Sequence, residues 1–226
     1  TGQILLYEIS NGEKRTWVPL SDIPSGLKNT TVAIEDAKFY AEPGFSLRGI
    51  LRAFLTNLSR GRIVQGGSSI TQQLAKNTFL SSDRTLSRKI KEFILAIQLT
   101  RHYTKDQILE LYLNQIPYGP TLYGVEAASL AFFSQSVKNL NLAESAVLAA
   151  LPKAPSYYSP WGAHQKELLA RQKIILKRMR ALGKITEAEL SQALATKIVF
   201  SPQDPKGIKA PHFVIYVQDY LVSKYG

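Results

Sequence analysis

The segment Gly66–Asn77 reads GGSSITQQLAKN, and it combines a glycine turn, a cluster of hydroxyls and a polar helix. The two glycines give the backbone conformational freedom. Ser68, Ser69 and Thr71 supply hydroxyls where a helix would begin, which predicts a helix N-terminus able to receive an anion. Amides and an ammonium then recur on one helical face at spacings of three and four residues: Gln72, Gln73, Lys76 and Asn77. The segment therefore predicts a binding helix for a phosphorylated or sugar ligand.

The letters SITQQLAK at 69–76 are also typical of the second helix of a helix-turn-helix. That DNA-binding motif requires another helix that ends about three or four residues earlier. Arg60, Gly61 and Arg62, followed by the glycine pair, interrupt the approach to the segment. The spacing therefore disfavours a helix-turn-helix.

The composition is that of a folded protein with a basic surface. The chain has 226 residues, a mass of 25.2 kDa and 45% hydrophobic residues, which is enough for one globular domain with a full core. Lys and Arg number 28 against 17 Asp and Glu, so the formal net charge is +11. Such an excess predicts an anionic partner, and nucleic acid, anionic lipid and pyrophosphate all qualify.

Several kinds of site are disfavoured by what the chain lacks. It has no cysteine, so disulfides and thiolate metal sites are excluded. Its histidines, at 102, 164 and 212, are too far apart to suggest a zinc site. No run of about eighteen apolar residues is present, so the sequence predicts no membrane span within itself.

The start of the chain predicts a β-hairpin and then a helix. Apolar and polar residues roughly alternate over 3–19, around an Asn11-Gly12 pair. Helical spacing follows, and it places Glu35 and Asp36 in the last turns of a helix that Glu42–Gly44 brings to an end.

The rest of the sequence predicts a succession of helices separated by loops. Apolar spacing and capping signals place them at about 46–58, 83–101, 104–114, up to 133, 142–151, 165–182 and 186–196. Residues 201–211 have the composition of a linker, and a final helix follows them. The helix at 83–101 is expected to bury a stripe of apolar residues: Leu86, Ile90, Phe93, Ile94 and Ile97.

One group of acidic residues and one separate glutamate are candidates for chemistry. Glu35, Asp36 and Glu42 lie close together in the sequence, and like charges at short range raise the pKa of at least one member. A carboxylate in such a group is suited to act as a general base. Glu92 lies four residues after Arg88 and three after Lys89, so both cations are about one helical turn away. By itself this pattern is most often a surface salt bridge.

Five stretches of the chain resemble, in family order, the motifs of the peptidoglycan glycosyltransferase (transglycosylase) domain of class A penicillin-binding proteins. They are EDAKFYAEPG at 35–44, GGSSITQQLAKN at 66–77, RKIKEFILAIQLT at 88–100, KDQILELYLNQIPYG at 105–119, and YGVEAASLAFF at 123–133 with LAESAVLAALPKAPSYYSP at 142–160. Together they cover most of the sequence between residues 30 and 160.

The resemblance implies a mainly α, lysozyme-like fold with a small hydrophobic lobe at about 44–65 and a short N-terminal β-hairpin. By spacing alone, Leu47–Leu58 is an ordinary amphipathic core helix, whereas the resemblance implies that it faces the membrane surface. The glycosyltransferase domain would span 1–200. Residues 201–226 would form a linker and a helix leading to a transpeptidase domain outside this sequence.

The resemblance also implies polymerisation of lipid II into β-1,4-linked glycan, with inversion and release of undecaprenyl pyrophosphate. Glu35 would be the general base and Glu92 the second essential carboxylate. Lys76, Arg88 and Lys89 would meet the pyrophosphate. The other substrate-binding positions implied are Asp36, Phe39, Ser68, Thr71, Gln73 and Asn77.

The implied setting is the outer face of the cytoplasmic membrane, with a transmembrane anchor outside this sequence. No cofactor is required, and a divalent cation, Mg²⁺ or Mn²⁺, would stimulate without a dedicated protein cage. The partners implied are lipid II, the growing glycan chain and the membrane surface, with other cell-wall synthesis proteins as further candidates. Nucleic acid is not among them.

Two departures from the family pattern and two rival functions remain. Glu42 stands where family members usually carry histidine, and Ser134 and Gln135 stand where they usually carry glycine and lysine. A muramidase of similar fold would also use two carboxylates over a sugar. A helical nucleic-acid-binding module would also account for the net charge.

Overall fold

The computed structural model describes residues 14–42, 68–80 and 85–203, together with Tyr216, Val217, Tyr220 and Lys224. This part of the chain is mostly helical, with two very short strands, so the prediction of a mainly α fold is confirmed. The predicted lobe at 44–65 lies outside the described residues. So do the Asn11-Gly12 turn and nearly all of the predicted linker and final helix.

The described part of the chain contains eight α-helices, three 3-10 turns and two strands. The α-helices are α1 (Ser25–Glu35), α2 (Ile70–Phe79), α3 (Leu86–His102), α4 (Lys105–Gln115), α5 (Val125–Phe133), α6 (Leu142–Ala150), α7 (Gln165–Ala181) and α8 (Glu187–Ala195). Short 3-10 turns occupy Leu20–Asp22, Val137–Asn139 and Leu151–Lys153. The strands are β1 (Lys14–Arg15) and β2 (Leu122–Tyr123).

Capping boxes begin four of these helices. In each, a side chain accepts a hydrogen bond from the backbone amide three residues later, and the residue there bonds back to the capping residue's amide. Each cap stabilises its helix by about 1 kcal/mol. The capping residues are Ser69, Thr104, Asn141 and Thr186, and those at 104 and 186 confirm the boxes that the sequence predicts.

The helices pack in two groups that meet at the end of α1. Helix α1 packs against α6 and α7, while α2 packs against α3 and α4. A hydrogen bond joins the two groups, because the Asp36 side-chain carboxylate accepts from the Ile70 backbone amide at 3.3 Å. The last residue of α1, Glu35, therefore lies where the two groups of helices come together.

Helix α1 ends earlier than the sequence predicts. Its last helical residue is Glu35, and Asp36 leaves the helical conformation with φ −157° and ψ 80°. The residues from Ala37 to Glu42 form tight turns. The Asp36 contact to the start of α2 replaces the next helical turn, and no local signal in the sequence announces such a contact.

The buried face of α3 is not the apolar stripe that the sequence predicts. Ile90 and Ile94 are 56% and 49% exposed, whereas Glu92 is only 2% exposed. The line Glu92, Ala96 and Leu99 faces inward instead. This face can be buried because neighbouring cations neutralise the Glu92 charge, so the prediction for Ile90 and Ile94 was wrong.

The N-terminal segment is held by a distant part of the chain. Strand β1 pairs in parallel with β2, with Lys14 opposite Leu122 and Arg15 opposite Tyr123. The Asn114 side chain adds two bonds to Val18, one accepted from its amide at 2.9 Å and one donated to its carbonyl at 2.8 Å. The described strand thus pairs across the fold, and the other strand of the predicted hairpin lies outside the described residues.

Candidate active site

The Glu35 carboxylate is held by a chain of hydrogen bonds from α2 and α4. The Gln73 amide nitrogen donates to Glu35 Oε2 at 2.7 Å. The Tyr112 hydroxyl donates to the Gln73 carbonyl oxygen at 3.2 Å. From the other group of helices, Arg178 Nε donates to the Ala33 carbonyl at 2.5 Å, which holds the C-terminal end of α1. Glu35 is therefore fixed from both sides.

Glu92 lies at the centre of a cluster of cations. Its Oε1 is 3.3 Å from Arg88 Nε, and its Oε2 is 2.6 Å from Lys89 Nζ. The Lys89 ammonium also donates to the Ser68 hydroxyl at 2.8 Å, at the start of α2. Because the Glu92 side chain is buried and both its oxygens are paired, this is more than the surface salt bridge that the local pattern suggests.

Lys76 connects this cluster with Glu35. Burial lowers the pKa of Lys76, the positive charges of Arg88 and Lys89 lower it further, and the charges of Glu92 and Glu35 act in the opposite direction. All four groups therefore lie within electrostatic range of one ammonium. Among the described residues, the Lys76 ammonium has no hydrogen-bond or ion-pair partner. It is a half-desolvated cation in a position to receive an anion.

Asp36 was predicted to bind substrate, but in the structure it joins two helices. Its Oδ2 accepts a hydrogen bond from the Ile70 amide at 3.3 Å. The positive charge of the Lys105 ammonium lowers the pKa of its carboxyl. Burial raises the pKa of Asp36 above 3.8, and the nearby Glu42 charge adds only a minor increase. The raised pKa expected in this acidic group thus occurs at Asp36, and desolvation rather than like charge is its main cause.

We expect Asp36→Asn to stabilise the fold near neutral pH. Because the pKa of Asp36 is raised on folding, the ionised form is disfavoured there, and a neutral amide of the same shape avoids that cost. The melting temperature should rise by about 1–3 °C, a small shift because the half-buried carboxyl is partly screened by solvent. Thermal unfolding at several pH values measures this.

The difference between Asp36→Asn and the unaltered chain should shrink as the pH falls through the Asp36 pKa toward 3.8, because the unaltered carboxyl then becomes neutral as well. An Asn variant that melts lower at neutral pH would contradict the assignment. It would mean that the charged bond to Ile70 outweighs the cost of burial.

The other predicted site residues on the GGSSITQQLAKN segment differ in their exposure to solvent. Thr71 is buried with 0% exposure, so its side chain presents no surface to a substrate. Ser69 caps α2, and the amides of Ile70 and Gln72 are bonded to Asp36 and Ser69. The predicted anion-receptive helix start is therefore partly occupied by the protein's own side chains. Asn77 is exposed, and Gly66 and Gly67 lie outside the described residues.

Aromatic and basic residues stabilise the turns at 36–42. Phe39 is 1% exposed, so it too presents no surface to a substrate, and the Lys105 ammonium lies 4.6 Å from its ring centroid. Lys105 also donates to the Glu42 carbonyl at 2.6 Å. The Glu42 carboxylate, which replaces the family's usual histidine, pairs with Lys38 at 3.1 Å. Its charge is thus balanced within its own turn.

The second departure from the family pattern lies away from the cluster. Ser134 ends α5 in the left-handed conformation, with φ 53°, which is the conformation that the usual glycine adopts without strain. Gln135 donates to the Glu144 carboxylate at 3.0 Å. The Gln135 side chain thus contacts a carboxylate that a lysine would pair with. Among the described residues, neither Ser134 nor Gln135 forms a hydrogen bond or ion pair with Glu35 or Glu92.

A large cavity of about 960 Å³ lies elsewhere, between α5, the Trp161 loop and residues 201–203. Arg15 is the only charged residue among the described side chains that line it, and neither Glu35 nor Lys76 is one of them. Within the described residues, no group of three His, Cys, Asp or Glu is placed to hold a metal ion. In the same part of the chain, no helix has the length and apolar character needed to cross a bilayer.

Sequence reasoning missed Tyr112 and Arg178. Tyr112 occupies a core position, and nothing in its spacing distinguishes it from other buried aromatics. Arg178 belongs to a long basic helix that reads as a solvated face. Each contributes through a neighbour far away in the sequence, so only the packed structure identifies them.

The comparison with protein families supports the sequence motifs. The family model described as "Transglycosylase" matches residues 2–180. The chain belongs to the transglycosylase family. The prediction of a peptidoglycan glycosyltransferase domain of the class A penicillin-binding type is thereby confirmed at the level of the family.

Relatives and a solved structure agree with this membership. The chain is 44% identical over 221 residues to penicillin-binding protein 1A of Aquifex aeolicus, covering 98% of this chain and 30% of that protein. It is 40% identical over 223 residues to penicillin-binding protein 2D of Bacillus subtilis, covering 98% and 32%. The chain thus spans about a third of these relatives' length.

The crystal structure of penicillin-binding protein 1A from Haemophilus influenzae resembles the fold with a TM-score of 0.56 and 25% sequence identity. The match covers 95% of this chain and 22% of that one. The predicted lysozyme-like helical fold of this family is therefore confirmed.

Proposed function

We propose that this transglycosylase domain polymerises lipid II, with inversion at the donor sugar and release of undecaprenyl pyrophosphate. The observation that carries the proposal is the shared electrostatic neighbourhood of Glu35 and the Lys76, Arg88 and Lys89 cations. An inverting displacement needs a base on one side of the reacting carbon and positive charge at the leaving group on the other. The cluster supplies both kinds of group.

Glu35 is the general base in this proposal. Its carboxylate takes the proton from the 4-hydroxyl of the acceptor GlcNAc while that oxygen forms a bond to C1 of the donor MurNAc. The bond from C1 to the pyrophosphate oxygen breaks, and its electron pair leaves with the lipid pyrophosphate. One Glu35 oxygen is engaged by Gln73, and the other, which has no partner within the described ranges, is assigned to the acceptor.

The cations stabilise the departing pyrophosphate. Lys76 is suited to this because it is partly desolvated and has no anionic partner of its own among the described residues. Arg88 and Lys89 are held by Glu92, at 3.3 and 2.6 Å. We therefore assign Glu92 as a positioning residue that fixes two cations, rather than as a group that moves a proton.

The remaining expectations fit the same reaction. A divalent cation, Mg²⁺ or Mn²⁺, would stimulate by binding the substrate's pyrophosphate, with no cofactor required. The segment Leu47–Leu58 would contact the membrane surface at the outer face of the cytoplasmic membrane, where lipid II and the growing glycan chain are found. Ser68 and Asn77 remain candidate substrate contacts, Ser68 through its bond to Lys89.

Product analysis tests the proposal against its rivals. The purified chain is incubated with lipid II and, separately, with isolated sacculi, and the glycan lengths are measured by electrophoresis and chromatography. We expect long strands from lipid II and unchanged sacculi. Shortened sacculus chains without any polymer would identify a muramidase, and a steeply salt-dependent affinity for DNA in place of polymerisation would identify a nucleic-acid-binding module.

A further inference from the structure

We infer that Tyr112 is a positioning residue for Glu35, acting through Gln73. Its hydroxyl holds the Gln73 amide in one direction, and that amide holds the Glu35 carboxylate with one oxygen left for the acceptor hydroxyl. The inference rests on the proposed function, because it assumes that Glu35 is the base.

The Gln73 side-chain amide must keep its NH₂ end toward Glu35. The two ends of an amide are alike in shape but opposite in hydrogen bonding, since one donates and the other accepts. In the structure the NH₂ group faces Glu35 at 2.7 Å and the carbonyl faces Tyr112 at 3.2 Å. A reversed amide would place its carbonyl oxygen against the Glu35 carboxylate, and two acceptors in contact repel each other.

Tyr112 can act only as a neutral hydroxyl in this chain of bonds. It is fully buried, and burial raises its pKa well above the ordinary value, with the Glu35 charge and Tyr118 adding to the effect. The phenol therefore keeps its proton and donates it to the Gln73 carbonyl. Without that donor, the carbonyl end of the amide has no described partner, and the amide is held only at its NH₂ end, by Glu35 at 2.7 Å and the Ser68 carbonyl at 3.5 Å.

The position of Tyr112 makes it a rigid support. It lies on α4 among fully buried neighbours, Ile108, Leu109 and Leu113, so its hydroxyl cannot swing away from Gln73. Gln73 lies on α2, which packs against α4. The bond chain thus links the rigid core to the end of α1. Groups held in this way keep a reacting side chain near its productive geometry.

Tyr118 provides a matched control. It is also fully buried, and burial raises its pKa, with the Glu35 charge adding to the effect, so it lies in the same neighbourhood. Its hydroxyl, however, has no hydrogen-bond partner among the described residues. Tyr118→Phe removes the same chemical group from the same region without breaking a described bond.

The experiment measures lipid II polymerisation kinetics for Tyr112→Phe, Tyr118→Phe, Gln73→Met and the double variant of Tyr112 and Gln73. We expect Tyr112→Phe to lower kcat by about 5- to 10-fold with KM changed less than about 2-fold, the size expected for one buried hydrogen bond acting in the transition state. Tyr118→Phe should stay within about 2-fold of the unaltered enzyme. In the Gln73→Met background, the Tyr112 substitution should add less than about 2-fold, because the amide it acts on is gone.

Full activity of Tyr112→Phe would overturn the inference, and so would an equal loss in both backgrounds. A raised KM with unchanged kcat would show a substrate contact instead. Should Tyr112→Phe fail to fold, Gln73→Met tests the link through which Tyr112 acts: a lower kcat supports the positioning chain, and a change in KM alone refutes it. Failure of the proposed function is distinguishable, since the unaltered chain would then not polymerise lipid II.

Discussion

Glu35→Gln is expected to abolish most lipid II polymerisation, with kcat lowered by about 10²- to 10⁴-fold, the range for loss of a general base. The amide cannot take a proton from the acceptor hydroxyl at neutral pH. It can still accept the bond from Gln73, so the fold and the positions of the neighbouring helices should be retained. Single-turnover kinetics with lipid II measures the loss in the chemical step directly.

Glu42→Gln is the matched control for this substitution. Glu42 follows α1 by a few residues, and it is also a carboxylate, but it is partly exposed and pairs only with Lys38 among the described side chains. Its substitution should change kcat by less than about 3-fold, since surface pairs contribute little. Full retention of polymerising activity in Glu35→Gln would falsify the base assignment, whatever Glu42→Gln does.

Lys76→Met is expected to lower kcat by about 10²- to 10³-fold while leaving the fold as stable as before or more stable. The activity is lost because a preorganised positive charge at the leaving pyrophosphate is removed. The stability does not fall, because burial and the charges of Arg88 and Lys89 disfavour the Lys76 ammonium in the folded chain. Loss of activity together with a higher melting temperature is characteristic of a site selected for function rather than for stability.

The sign of the stability change follows from the lowered pKa of Lys76. A base with a lowered folded pKa costs stability wherever it is charged, so the gain in Lys76→Met is present at neutral pH and disappears as the pH rises toward 10.5. Lys173→Met, which removes an exposed lysine of α7, is the control and should change neither quantity appreciably. A stability loss in Lys76→Met without a loss of activity would contradict the assignment.

The two carboxylates of the site are thus expected to differ in role despite their common chemistry. Glu35 is held by a neutral amide at one oxygen, and its other oxygen has no hydrogen-bond partner among the described residues. Glu92 is buried between two cations that occupy both of its oxygens. A carboxylate paired in that way is poorly placed to accept a proton. It instead fixes the positions of the Arg88 and Lys89 side chains, which would otherwise extend into solvent.

The start and end of most described helices follow from residues within about four positions of each other. Thr104 with Gln107 and Thr186 with Glu189 form the capping boxes that their spacing predicts. Gly183, with φ 65°, follows α7 as the helix-ending glycine that the sequence indicates. The motif segments likewise identify the family, because they depend only on the order of residues along the chain.

Which side chains share the site was decided by packing, because contacts between distant helices leave no periodic signal. The spacing of α3 favours burial of Ile90 and Ile94, yet Glu92 is buried, since Arg88 and Lys89 neutralise its charge on the inward face. Tyr112 reaches Gln73, and through it Glu35, only because α4 packs against α2. The sequence alone thus determined the family and most of the described helices, and it singled out Glu35 and Glu92 as candidates. The tertiary structure decided how each glutamate is held, because burial and charge pairing depend on residues brought together from separate elements.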